Sequence, residues 1–74
     1  MTNFGAMKWT EIRDILVRSG YEVVRSKGSH VHLRADGRTP ITMALHRDEA
    51  PPGMVRKILL KDAGLTEDEI RQLR

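Results

Sequence analysis

A chain of 74 residues holds one domain, and a domain of that size buries only about 60% of the surface its unfolded chain exposes. The absence of cysteine excludes a disulfide framework and a thiolate metal site, and no apolar run approaches the length of a membrane span. The excess of 13 Lys+Arg over 10 Asp+Glu is small but unevenly placed: Arg18, Arg25, Lys27, Arg34 and Arg38 meet only Glu22 and Asp36 mid-chain, while acids gather in the C-terminal "EDEIRQLR".

The opening "MTNFGA" lacks the basic flank and apolar run of a secretion signal, so residues 1–7 read as a flexible extension and 8–74 as the domain. A reducing cytoplasm suits a chain without cysteine. "KWTEIRDILVRSG" then predicts a helix with an apolar stripe of Trp9, Ile12, Ile15 and Leu16, an N-cap at Thr10 and a stop at Gly20. Trp9 reads as a core or helix-start residue and not as a stacking platform.

Three strand-like runs follow. "YEVVRS" (21–26) is aromatic and β-branched; "SHVHLRA" (29–35) alternates Val31 and Leu33 with His30, His32 and Arg34. "TPITMALH" (39–46) alternates Ile41, Met43 and Leu45 with Thr42, Ala44 and His46. The Asp36-Gly37 pair is a strong signal for a type I′ hairpin turn, in which both central residues need positive φ, and Lys27-Gly28 is a weaker one. "APPG" at 50–53 introduces a helix over about 54–63 that ends at Gly64, and "LTEDEI" predicts a last helix with a Thr66/Glu69 capping box and a Leu65–Ile70 staple. The expected fold class is α+β: an α-β-β-β-α order with a three-stranded antiparallel sheet, both main helices on one face, and a short C-terminal helix. The other face is left open, and period-two alternation assigns to it His30, His32, Arg34, Thr42 and His46.

Three readings compete for that face. A His-x-His pair on one strand with a histidine from the next would supply three nitrogens to zinc, although no carboxylate is placed to orient the rings. Imidazoles among cations could instead catalyse RNA cleavage. RNA carries its own nucleophile in the 2′-hydroxyl, so the protein need only remove that proton, protonate the leaving 5′-oxygen and stabilise charge on phosphorus. The third reading is a solvated polar strand with no chemistry.

"GYEVVRSKGSH" after a short amphipathic helix, then "DGR", a third strand ending in histidine, and "PGMVRKILLKDAGLTEDE" together resemble the HicA (YcfA-like) mRNA interferase toxins over roughly residues 8–70. The resemblance implies a fold similar to the double-stranded-RNA-binding domain, endoribonuclease activity on mRNA that inhibits translation and growth, and neutralisation by a cognate HicB-type antitoxin. No cofactor, metal or membrane is expected. The family's catalytic histidine, in Gly-Ser-His, falls on His30, its glycine on Gly28, and its strand-three histidine on His46; His32 has no counterpart. The family often carries Val-Pro before that last histidine, where this chain has Ala44 and Leu45.

Joining both lines, His30 is expected as general base or acid of a metal-independent cleavage, with Lys27, Gly28, Ser29, His32, Arg34 and His46 contacting RNA. Phosphate contacts of this kind position a substrate without reading its bases. With Phe4, Trp9 and Tyr21 the only aromatics, low base selectivity and salt-dependent binding are expected. The alternatives are a non-catalytic double-stranded-RNA-binding module of the same architecture and a purely structural adaptor. Against the module, "PPGMVRK" lacks the dense lysine cluster that such domains use to straddle a groove.

Overall fold

The computed structural model describes residues 4–74. Helix α1 (Trp9–Arg18) turns Ile12, Ile15 and Leu16 inward until each is fully buried, as their spacing requires. It starts at Trp9, with Lys8 in the capping position and no side chain bonded there, and not at the expected cap Thr10. The cause lies upstream. Met7–Lys8 (β1) pairs antiparallel with Glu49–Ala50 (β5), so the chain is already held when it enters the helix. Met7, expected in the extension, is 1% exposed in the core, and Phe4 packs against it. Residues 1–3 of that extension lie outside the described residues.

At the other end of α1, Gly20 N–H donates to Val17 and Tyr21 N–H to Leu16, the two bonds of a glycine-terminated Schellman motif. Tyr21 is buried as it leaves the helix. Strands β2 (Glu22–Lys27), β3 (His30–Arg34) and β4 (Ile41–Ala44) then form an antiparallel meander in the order β2-β3-β4. Val31, Leu33, Ile41 and Met43 face the helices and are buried, so the expected alternation holds along β3 and along the third run as far as Ala44.

The β3–β4 connection differs from the expected type I′ turn. Among the described residues no non-glycine has positive φ, so Asp36 does not adopt the conformation that turn requires. Arg38 N–H bonds Ala35 C=O across a turn with Gly37 at its third position, φ 71°, the pattern of a type II turn. This wider loop folds Arg38 back against the helix ends, where it is half-buried. Its guanidinium donates to Ser19 C=O at 2.8 Å and Ala63 C=O at 2.9 Å, and lies 4.3 Å from the centre of the Tyr21 ring. Tyr21 in turn donates to Thr39 C=O. One cation thus ties the ends of two helices to the loop between two strands.

Helix α2 (Pro52–Arg56) begins earlier than the expected Met54, with Pro52 at its first position, where the missing N–H costs nothing. It widens into a π-helical turn over Lys57–Asp62 that keeps Ile58 and Leu59 buried and is spanned by a Lys57–Asp62 ion pair at 3.2 Å. Helix α3 (Glu67–Leu73) starts at the expected capping box: Glu69 N–H donates to Thr66 Oγ1, and Thr66 N–H donates to Glu69 Oε1. Leu65 and Ile70 are both buried beside it. Arg18 reaches Leu73 C=O and Arg74 reaches Glu11, fastening α3 to α1.

Candidate functional site

The site is organised by the hairpin between β2 and β3. Lys27 and His30 are cross-strand partners, so only Gly28 and Ser29 form the loop. Gly28 has φ 60° at the first central position, as a type II′ turn requires, and its Cβ position is open space. The weaker of the two glycine signals therefore makes the tighter turn. Such a turn pins the register, and the register puts the Lys27 and His30 side chains side by side on one face.

Cross-strand pairing continues with Arg25 opposite His32 and Glu22 opposite Arg34. A bulge at Val24, between Val23 and Arg25, produces this arrangement. Strict alternation from Val23, which is opposite buried Leu33, would turn Arg25 and Lys27 towards the helices. The extra residue reverses the sense of the strand, and both cations emerge on the open face. On the other side of β3, Thr42 lies opposite His32 and Ala44 opposite His30.

The result is two adjacent cross-strand rows, Lys27–His30–Ala44 and Arg25–His32–Thr42. His30 is exposed; His32 is half-buried, and its Nδ1 is 2.9 Å from Thr42 Oγ1. Arg25, Lys27 and Arg34 are exposed and join no ion pair among the described residues. Four residues along the strand from His30, roughly 13 Å by the strand rise, Arg34 shares a shallow depression with Glu22, Val24 and Asp36. It belongs to the face but not to the cluster at the hairpin end.

His46 is not on this face. The β4 ladder ends at Ala44, the last bond of the segment runs from Leu45 N–H to Ser29 C=O, and the chain then turns off to form β5. The His46 ring meets Trp9, at the start of α1, edge-on at a centroid distance of 6.1 Å. The three-histidine set considered for zinc does not assemble, and among the described residues no three His, Asp or Glu side chains group as a metal site would. Gly28 and Ser29 shape the hairpin. Of the other expected residues, Lys27, His30 and His32 come together, Arg34 stands apart and His46 is turned away.

Arg25 is the residue that alternation missed. Its signal is the pair Val23-Val24 followed by Arg-Ser-Lys, because unbroken alternation would bury two cations. Charge counting erred in the other direction: Arg18 and Arg38 are spent on backbone carbonyls.

The family model for the HicA toxin of bacterial toxin–antitoxin systems matches residues 9–65, from the first residue of α1 to the one before the α3 cap. The chain belongs to the HicA toxin family. No curated protein and no solved structure matches it. In HicA terms the matched span contains both rows of the site and the whole sheet, and it leaves α3 and β1 outside. No helix among the described residues is long and apolar enough to cross a membrane.

Proposed function

We propose that this HicA-family toxin is a metal-independent endoribonuclease that cleaves mRNA in the cytoplasm and is neutralised by a HicB-type antitoxin. The observation that carries the reading is His30: an exposed imidazole at the tip of an open sheet face, opposite Lys27 and next to the Arg25–His32 row, with no ion pair among the described residues engaging the cations. His30 moves a proton in the attack of the ribose 2′-oxygen on the adjacent phosphorus. Lys27 and Arg25 bind the phosphate and stabilise the charge that develops there.

A non-catalytic RNA-binding module gains no support from the helix that such domains lay on the duplex. The Pro52–Asp62 stretch offers Arg56, Lys57 and Lys61, and Lys57 is paired with Asp62.

The test is to incubate purified wild type and His30→Ala with RNA, with and without a chelator, and to map the ends. Chelator-resistant cleavage leaving a 2′,3′-cyclic phosphate and a 5′-hydroxyl is expected, slowed by about 10²–10⁴-fold in folded His30→Ala. Normal cleavage by the folded variant, or chelator-sensitive cleavage leaving a 3′-hydroxyl, overturns the reading. RNA retention without cleavage would identify a binding module.

A further inference from the structure

We propose that His32, held by Thr42, is a second catalytic histidine: it protonates the leaving 5′-oxygen while His30 removes the 2′-hydroxyl proton. This rests on the endoribonuclease reading above and assigns its two proton transfers.

Two residues apart on one strand face, the imidazoles are about 7 Å apart along β3. In-line displacement puts the attacking and leaving oxygens on opposite sides of phosphorus. A base and an acid must therefore stand apart, each within about 2.6–3.2 Å of its own oxygen. The spacing of His30 and His32 allows a phosphodiester to lie between them, with Lys27 and Arg25 alongside on β2.

The division of labour follows from what β4 offers each ring. Thr42 Oγ1 lies 2.9 Å from His32 Nδ1. A hydroxyl can donate to a bare ring nitrogen or accept from a protonated one, so the bond persists in both charge states and the ring keeps its aim. Nε2, the nitrogen farthest from the backbone, is left for the substrate. His30 faces Ala44 across the same pair of strands, and a methyl group can accept nothing from a doubly protonated ring. The charged and titratable groups around His32 are Arg25 from β2 and Arg34 and His30 from its own strand, with neutral Thr42 on β4.

In the step, the 2′-oxygen bonds to phosphorus as its proton passes to His30. The P–O5′ bond breaks as its electron pair takes a proton from His32 Nε2. The products are a 2′,3′-cyclic phosphate and a 5′-hydroxyl, and the two histidines exchange protonation states through solvent before the next turnover. Thr42 is a positioning residue that acts through His32.

A sulfur leaving group isolates the second transfer, because a thiolate departs without needing a proton. The probe is a short RNA with sulfur in place of the 5′-oxygen at the bond that wild type cleaves fastest, compared with the all-oxygen RNA. On the all-oxygen RNA, His32→Ala and His32→Gln should each lose about 10²–10⁴-fold. On the sulfur RNA both should come within about tenfold of wild type, while His30→Ala stays slow on both. Thr42→Val should lose about tenfold on the all-oxygen RNA alone, with Thr42→Ser restoring the rate. A variant that failed to fold would lose both substrates equally, and circular dichroism of each protein identifies that case. Wild-type rates in His32→Ala, or equal losses on both substrates in a folded His32→Ala, overturn the assignment to His32 and leave His30 untouched. Failure of wild type to cleave any RNA overturns the parent reading instead.

Discussion

The two faces of β3 show how one alternating strand serves two ends. Val31 and Leu33 are enclosed by the helices, while His30 and Arg34, one step away in sequence, are exposed. The covered face satisfies its polar needs internally: among the described residues no buried side-chain nitrogen or oxygen lacks a hydrogen-bond partner. Arg38, half-buried against the helix ends, is used up on two carbonyls, the Ser19 hydroxyl and the Tyr21 ring. The open face keeps Arg25 and Lys27 in water with no carboxylate among the described residues bound to them. Stability is thus carried by one side of the backbone and the proposed anion binding by the other, and substitutions should separate them.

The largest effect on stability is expected from Leu33→Ala. Leu33 is fully buried, and truncating such a residue costs about 2–5 kcal/mol in lost transfer and residual cavity. At about 4–8 °C per kcal/mol for a domain this small, thermal unfolding should register it plainly. His30→Ala, on the other face, should change stability by no more than about 0.5 kcal/mol. A large drop in Tm for His30→Ala would mean that the two faces are not separable.

Arg38→Met comes next, at about 2–3 kcal/mol, because it strands carbonyls that the guanidinium satisfied. The contrast with its neighbours in the charge count is the informative part. Arg25→Gln and Lys27→Gln should leave Tm unchanged, and each should reduce the slope of log K against log salt by about 0.7–1. Arg38→Met should leave that slope alone. Equal slopes across all three variants would break the distinction between cations that build and cations that bind.

How far these roles could be read from the chain depends on the range of the interaction that sets them. The faces of β3 were legible because "HVHLR" encodes them locally, and the Thr66/Glu69 box because its two partners are three residues apart. His46 was misplaced because alternation in sequence runs past the point where hydrogen bonding stops. The strand ends when the chain leaves to pair β5 with β1, and two residues opposite two others carry no local pattern. Arg38 looked like one more surface cation because Ser19 and Ala63 are brought to it only by the fold. The bulge at Val24 lies between these cases, since its trace is a strand whose alternation would otherwise bury Arg25 and Lys27.

Gly28→Ala tests the hairpin that joins the two faces. Nothing lies within 4 Å of the added methyl, so the cost is backbone strain at φ 60°, about 1–2 kcal/mol. Relief of that strain should disturb the Lys27–His30 register, so cleavage should suffer more than Tm suggests. Normal cleavage with lowered Tm would show that the register survives.

The smallest effect sits furthest from the open face and depends on pH. Thr66→Ala should cost about 1 kcal/mol through loss of the α3 cap, with no change in cleavage per folded molecule. Glu69, its partner, is held below its ordinary carboxylate value of 4.5, first by the Thr66 N–H, then by the Thr66 side chain, with a further pull from Arg38. A depressed carboxylate contributes stability that is complete above 4.5 and disappears as pH falls through the lower folded value. Glutamine can fill the same position of the box without titrating. Wild type should therefore lose stability relative to Glu69→Gln as pH is lowered through and below 4.5, as denaturant titrations at a series of pH values would show. A pH-independent difference between the two proteins would mean that the Glu69 charge contributes nothing to the cap, and that the helix end is held by Thr66 and the burial of Leu65 and Ile70 alone.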